Sequence, residues 1–296
     1  MQVIVGANGY LGSYIVKNIL EKTTDNIIAT CRDAENAFTD DPRVKWVSCD
    51  IENEKDRLSL ASLINSQEER CNVCFLAAYH HPDAVQQNPG KAYNINVTIL
   101  DEILSSLTNV RCLFYPSTDS VYGNSENRHH FKENDPLRPV NIYGEQKAKA
   151  EAVVNSHGFN VVRFPFLIGA SLLPHKKHFY DIIAESILSE KPFELFSDSL
   201  RSSLDFNGAA AILLSLIDNY SDEMPKILNL SGDDDLSKYD VGLMIAEKIG
   251  ADKKYVVPIS LSDGGEIFKT ERAKSTLMDN TLVKKVLGLD EIKINL

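Results

Sequence analysis

The sequence predicts an α/β fold, a doubly wound parallel sheet followed by a smaller C-terminal lobe. Three observations predict it. Short, nearly continuous apolar runs recur from the first residues onward, stretches of helical periodicity fill the intervals, and the alternation loosens after Phe164. Strands that are apolar on both sides belong in a sheet covered on both faces, which is the parallel, helix-wrapped arrangement.

The elements follow in order. Val3–Val5 is a bare aliphatic run, and Tyr10–Leu20 repeats apolar residues at helical spacing. Ile27–Thr30 and Val44–Ser48 read as the next two strands, and Leu58–Ile64 as a helix. Val73–Ala77 is a strand, Ala92–Leu107 a helix, Cys112–Pro116 a strand, Tyr143–Asn155 a helix and Val161–Phe164 a sixth strand. This places the doubly wound unit over residues 1–165. Beyond it, a Pro-, Gly- and His-containing stretch, Pro165–His178, leads to a helix at Phe179–Ser189. Further elements are a short run at Phe193–Phe196, a helix at Ala209–Ile217, a strand at Ile227–Leu230 and a helix at Val241–Ile249. Residues 166–296 are too interrupted for a second doubly wound unit. They read as a lobe that covers a substrate, with some strands returning to the main sheet.

Composition narrows the function classes. The chain has 296 residues, 43 % of them hydrophobic and 25 % charged, which is globular rather than disordered composition. Its formal charge is −11, spread over both halves. An even anionic surface argues against nucleic acid and against an anionic membrane as partners. The longest apolar stretch, near Ala209–Ile217, falls well short of the ~20 residues of a membrane span. The opening Met1-Gln2-Val3-Ile4-Val5-Gly6 has no basic leader region, and the five cysteines suit reduced thiols, so a cytoplasmic protein is expected. Cys71-Asn72-Val73-Cys74 has no second pair to complete a zinc site and reads as two residues flanking a buried strand. No metal is expected.

Between the first strand and the first helix stands Gly6-Ala7-Asn8-Gly9-Tyr10-Leu11-Gly12. Glycines are needed where the backbone turns tightly and approaches a pyrophosphate, and the helix N-terminus that follows offers free N–H groups to the anion. Gly6, Asn8, Gly9, Tyr10 and Leu11 are therefore candidate dinucleotide contacts. An acidic residue at the end of the second strand would favour a free ribose 2′-hydroxyl. Here Cys31 stands at that place, with Arg32 beside it. A guanidinium can grip a 2′-phosphate in bidentate fashion, so NADP(H) is the expected cofactor, with NAD(H) as the alternative. Asp50 and Ile51, after the third strand, are expected to flank the adenine.

Tyr143-Gly144-Glu145-Gln146-Lys147 places a phenol and an ammonium four residues apart on one helix face. A nearby ammonium lowers a phenol's pKa and makes it a better proton carrier. Upstream, Leu113-Phe114-Tyr115-Pro116-Ser117-Thr118-Asp119-Ser120-Val121-Tyr122-Gly123 puts the Thr118 hydroxyl at the C-terminal end of a sheet strand, the side where such folds bind ligands. Thr118 and Tyr143 are placed to hydrogen-bond one carbonyl oxygen.

Together, the glycine turn, the Ser117-Thr118-Asp119-x-Val121-Tyr122-Gly123 strand end and Tyr143-x-x-x-Lys147 resemble the extended short-chain dehydrogenase/reductases, which have a Rossmann sheet. Supporting phrases are Leu76-Ala77-Ala78-Tyr79, Asn96-Val97, Arg138-Pro139-Val140-Asn141-Ile142-Tyr143-Gly144 and Val162-Arg163-Phe164-Pro165. The resemblance implies that Thr118 polarises a substrate carbonyl and that Tyr143 is the acid/base. It implies that Lys147 holds the nicotinamide ribose, and that Ala77, Ala78, Tyr79 and Asn96 line the cofactor. Within the family, the chain is most similar to the dTDP-4-dehydrorhamnose reductase group, on total length, Pro-x-Asn-x-Tyr-Gly-x-x-Lys and Arg272-Ala273-Lys274-Ser275-Thr276-Leu277-Met278-Asp279. The implied reaction is hydride delivery from NAD(P)H to the 4-keto group of a nucleotide diphosphate-linked deoxysugar. Sugar dehydratases carry Thr-Asp-Glu where this chain has Thr118-Asp119-Ser120, so the carboxylate for elimination is missing. A nucleotide-sugar 4-epimerase remains an alternative, although Phe166 stands where epimerases usually carry an asparagine. A non-catalytic NADP-binding regulatory subunit, like the beta subunit of methionine adenosyltransferase, is another.

By the same resemblance, His80, Asp119, Phe166, Arg201 and Arg272 are placed with the substrate, Arg201 where related enzymes hold the diphosphate. His175, His178 and the pair His129-His130 read as solvated loop histidines. The helices Ala92–Leu107 and Tyr143–Asn155 are the family's usual homodimer surface.

Overall fold

The computed structural model describes residues 1–33, 35, 37–262 and 270–296. Seven parallel strands form the central sheet: β1 (Gln2–Val5), β2 (Ile27–Cys31), β3 (Val44–Ser48), β4 (Cys71–Phe75), β5 (Val110–Thr118), β6 (Asn160–Phe164) and β7 (Ile227–Asn229). They are ordered β7-β6-β5-β4-β1-β2-β3. The chain runs outward from β1 in one direction to β3, then returns through β4 beside β1 and outward the other way. This is the doubly wound Rossmann order, with its switch point between β1 and β4.

Alternation along each strand explains the two-faced burial. Ile4, Ala29, Cys74, Phe114 and Val162 join one core cluster, packed under helices α1 (Tyr10–Lys22) and α5 (Phe206–Asp218). Their neighbours Val3, Val5, Ile28, Val73, Phe75, Leu113 and Val161 face the other way. There they pack under α2 (Glu54–Asn65), the helical stretch between β4 and β5, and α3 (Ile142–Ser156). Cys71 and Cys74 lie on β4 itself, not beside it, and their side chains enter opposite cores. All five cysteines are free and buried.

Several boundaries differ from the sequence reading. Helix α2 begins at Glu54, four residues early, because the Asn53 side chain caps it by accepting the Lys55 N–H at 2.9 Å. Strand β5 runs through Pro116 to Thr118, with the ladder to β6 kept from Tyr115↔Val161 to Thr118↔Phe164. The single helix expected over Ala92–Leu107 is instead assembled from Pro89–Tyr93, a π-helical stretch at Asn94–Ile99 and Leu100–Ser106. A π turn inserts an extra residue into the helix and turns a side chain away from its regular face, commonly at functional sites. Here the displaced segment carries Asn96.

The C-terminal residues build a second, smaller cluster. Helices α4 (Phe179–Leu188) and α6 (Lys238–Ile249) enclose Ile183, Ile187, Leu195, Val241, Ile245 and Val256. Phe193–Phe196 pairs in parallel with Val256–Ile259. Yet β7, from this part of the chain, is hydrogen-bonded to β6, and α5 packs on the main core. Packing therefore crosses residue 165. Among the described residues no helix is long and apolar enough to cross a membrane.

Candidate active site and cofactor cleft

The cleft begins at the glycine turn. Thr30 on β2 fixes it twice: its side-chain oxygen accepts the Gly6 N–H at 3.0 Å and its carbonyl accepts the Ala7 N–H at 2.8 Å. Gly6 has φ +89°, and a Cβ there would lie 3.0 Å from the Ala77 nitrogen. Only glycine satisfies both the left-handed backbone and the close approach of β1 to β4. Helix α1 then starts from Gly9 with no side-chain cap. Its leading N–H groups are thus left for an anion, which is the role a dinucleotide pyrophosphate fills.

This turn forms one wall of a cavity of about 390 Å³ at the C-terminal ends of β1, β2 and β4. Of the expected cofactor residues, Gly6, Asn8, Gly9, Arg32, Asp50, Ile51, Ala77, Ala78 and Tyr79 line it, and so does His80. Cys31 and Thr30 lie on the same wall. Tyr10 and Leu11 are not part of this wall. They pack against the core, and the Tyr10 hydroxyl donates to the Lys177 carbonyl at 2.7 Å. Asn96 also stands behind the wall. Its side-chain oxygen accepts the Tyr79 N–H at 2.8 Å and its amide donates to the Tyr79 carbonyl at 3.0 Å and to Gln146 at 3.3 Å. Asn96 therefore shapes the Ala77-Ala78-Tyr79 wall rather than forming it.

The proposed catalytic groups meet at the end of β5. Asn141 caps α3 by accepting the Gly144 N–H at 3.0 Å, which sets Tyr143 in the first turn. Gly144 allows the helix to lie against the turn after β5, since a Cβ there would come within 2.5 Å of the Ser120 carbonyl oxygen. The Thr118 hydroxyl is near enough to the Tyr143 phenol to favour its ionised form. Thr118 Oγ1 in turn donates to Asp119 at 3.0 Å. Burial and the Asp119 carboxylate push the Tyr143 pKa up to about 12.

Lys147 is buried one turn further along α3, with 4 % of its surface exposed. Its Nζ donates to the Tyr115 hydroxyl at 2.7 Å and to the Pro116 carbonyl at 2.6 Å. Burial pulls its pKa down to about 7, only partly countered by Glu151. The expectation that Lys147 lowers the Tyr143 pKa is thus not met here. Lys147 directs two of its three hydrogens to β5, and the carboxylate beside Tyr143 acts in the opposite sense. Tyr115, buried and one strand position before Pro116, was not foreseen as part of the site. Its apolar surroundings made it look like core.

On the other side of Tyr143 the remaining residues gather. Asp119 is buried and paired with Arg201 Nε at 3.3 Å. Desolvation raises the Asp119 pKa and Arg201 opposes the rise. The Arg201 guanidinium also donates to the carbonyls of Leu200 at 2.7 Å and Ala273 at 2.7 Å, so it fastens the C-terminal segment as well. Arg272 is paired with Asp83 at 3.1 Å and its charge reaches Tyr143. Phe166 is half-buried, edge-on to Phe179 at 6.2 Å. Lys238, at the start of α6, holds its Nζ 5.7 Å from the Phe166 ring and 5.1 Å from the Phe179 ring. Burial, then the charges of Arg201 and Arg272, lower its pKa to about 8. Lys238 is a third cation in this group, and no motif marks it in the sequence. His178 also differs from expectation. It is no solvated loop residue: it caps α4, lies between Tyr10 at 4.6 Å and Phe206 at 4.9 Å, and burial drops its pKa to about 4.

Comparison with known proteins agrees with this construction. The chain is 26 % identical over 212 residues to a UDP-glucose 4-epimerase of Lactobacillus helveticus, covering 66 % of this chain and 63 % of that protein. It is 22 % identical to methionine adenosyltransferase 2 subunit beta of Xenopus tropicalis over 87 % of this chain and 75 % of that one. The curated relatives are thus matched over only part of their length, in some cases about half. A solved dTDP-4-dehydrorhamnose reductase of Bacillus anthracis, in complex with NADP, superposes with a TM-score of 0.79 at 19 % identity, covering 99 % of this chain and 94 % of that one. The profile of the RmlD substrate binding domain matches residues 1–293. Glycine turn, Thr118–Tyr143–Lys147 set and whole-length match agree: this chain belongs to the RmlD substrate binding domain family, within the short-chain dehydrogenase/reductase-like proteins.

Proposed function

We propose that the protein is an NAD(P)H-dependent reductase of a nucleotide diphosphate-linked 4-keto-deoxysugar. The observation that carries this reading is the placement of Thr118 at the end of β5 and of Tyr143 in the first turn of α3, close enough for the Thr118 hydroxyl to act on the phenol. A bound nicotinamide supplies the hydride. The chain's own residues do the rest. With substrate bound, the Thr118 hydroxyl turns from Asp119 to donate to the keto oxygen, and Tyr143 donates to the same oxygen and delivers its proton as negative charge develops there. Such a step needs a neutral phenol, and a Tyr143 pKa of about 12 keeps it neutral across physiological pH. Epimerisation must begin by removing a proton from a hydroxyl. That step needs the phenolate, whereas reduction starts from the neutral phenol.

The cations Arg201, Arg272 and Lys238 gather near Asp119 and Tyr143, and suit a diphosphate held there while the sugar reaches Thr118. Arg32 on the cofactor cleft, with Cys31 in the place of an acid, supports NADPH over NADH. The relatives' names, an epimerase of UDP-glucose and a dTDP-4-dehydrorhamnose reductase, support a nucleotide-sugar substrate. A second reading, a cofactor-binding subunit without its own turnover, is favoured by the likeness to the methionine adenosyltransferase subunit.

The test is NADPH oxidation against a panel of nucleotide-linked 4-keto sugars. The wild type is expected to turn over at least one of them, and Tyr143→Phe to lose about 10²–10⁴-fold in rate. Full activity in Tyr143→Phe removes the proposed chemistry. A wild type that binds cofactor but reduces none of the panel favours the subunit reading.

A further inference from the structure

The segment Pro165–His178 leaves the sheet after β6 and passes over helix α1 before entering α4. It is fastened there from below. The Tyr14 hydroxyl donates to the Ala170 carbonyl at 2.8 Å, and the Tyr10 hydroxyl to the Lys177 carbonyl at 2.7 Å. The His178 ring is held edge-on against Tyr10 and Phe206. These ties carry Lys176 to the wall of the cofactor cavity, where its Nζ lies 4.5 Å from the centre of the Tyr10 ring. Tyr10 is the first residue of α1, directly after the glycine turn.

Three cations line this cavity: Arg32, Lys91 and Lys176. Lys91 has a counter-ion, Glu52, at 3.1 Å. Among the described residues, Arg32 and Lys176 have no carboxylate within ion-pairing distance. They are close enough for each charge to act on the other: burial and then Arg32 lower the Lys176 proton affinity. The charge of Lys176 is felt at His80 as well. Two like charges facing one cavity, with neither Asp50 nor Glu52 of the same lining at ion-pairing distance from them, is an unfavourable arrangement that an anion between them reverses. The uncapped N-terminus of α1 lies on the same wall and has the same preference.

We propose that Lys176, delivered to the cavity by the 165–178 segment, is a phosphate ligand of the bound dinucleotide and closes a two-cation clamp with Arg32. This rests on the reading of the cleft as a nicotinamide-dinucleotide site. Its position over Tyr10, beside the glycine turn, assigns Lys176 to the pyrophosphate, so that the clamp holds the dinucleotide by two different phosphoryl groups. The other phosphoryl source is the adenosine 2′-phosphate on the Arg32 side. The consequence is that a residue of the C-terminal half holds the cofactor, so cofactor and substrate sites share one segment.

The experiment measures dissociation constants of NADPH and NADH by calorimetry for the wild type, Lys176→Ala, Lys176→Arg and Arg32→Ala. Loss of one charge-assisted contact predicts about tenfold weaker binding in Lys176→Ala, equal for both cofactors, with Lys176→Arg restoring most of it. The Lys176 side chain makes no hydrogen bond or ion pair among the described residues, which predicts an unchanged melting temperature of the free protein and separates loss of binding from loss of fold. A loss confined to NADPH upholds the phosphate ligand and moves it to the 2′-phosphate. Unchanged constants for both cofactors in Lys176→Ala, with wild-type binding intact, overturn the clamp alone. A wild type that binds neither cofactor overturns the cleft reading and the clamp with it.

Discussion

After burial, the Asp119 carboxylate is the main influence on Tyr143. It is buried, fixed by Thr118, Ser120 and Arg201, and raises the phenol's pKa through its charge. Replacing it by asparagine removes that charge and lowers the Tyr143 pKa. Since the proposed reduction needs the protonated phenol, the alkaline limb of the kcat/KM–pH profile is expected to move to lower pH in Asp119→Asn, with the acid side unchanged. A limb that stays in place removes Asp119 from this role. The convergence of Thr118, Tyr143 and Lys147 on the end of β5 was legible because the chemistry proposed for them demands particular residue types at fixed spacing. Lys238, Tyr115 and the true surroundings of His178 were not. A single lysine, an apolar-flanked tyrosine and a loop histidine carry no spacing signal, and only the fold brings them to the site.

At the scale of elements, the site depends on how closely α3 lies against the end of β5. Gly144 permits that approach, and a methyl group there would meet the Ser120 carbonyl at 2.5 Å. Gly144→Ala is therefore expected to push the helix away and part Tyr143 from Thr118. A displacement on the order of 1 Å predicts about a 10²-fold loss in kcat with cofactor affinity nearly kept. An undiminished kcat shows that α3 need not seat so closely. Strands were legible because each is apolar on both faces. The helical stretch between β4 and β5 was read as one helix because its apolar period is continuous. Its π turn answers instead to a tertiary demand, the pairing of Asn96 with the Tyr79 backbone.

For the whole molecule, the notable fact is how much of the main core lies late in the chain. Leu204, Phe206, Leu213, Ile217, Leu228 and Leu230 pack with Ile4, Ile15 and Phe114 in one cluster. A fragment ending at residue 165 lacks all six of the former and leaves the β6 edge unpaired. It is expected to show no cooperative thermal transition by circular dichroism, whereas a sharp melt would show that the first half is self-sufficient. The change of rhythm at Phe164 is visible in the sequence, but long-range pairing of β7 with β6 is not, because register between distant strands leaves no local trace. The same late strand has a meaning for synthesis on the ribosome. At ~5–20 residues per second, β6 emerges roughly 3–13 s before β7. Throughout that interval its outer edge stands open to pairing with other chains. Newly made protein is therefore at its most aggregation-prone before Ile227 appears.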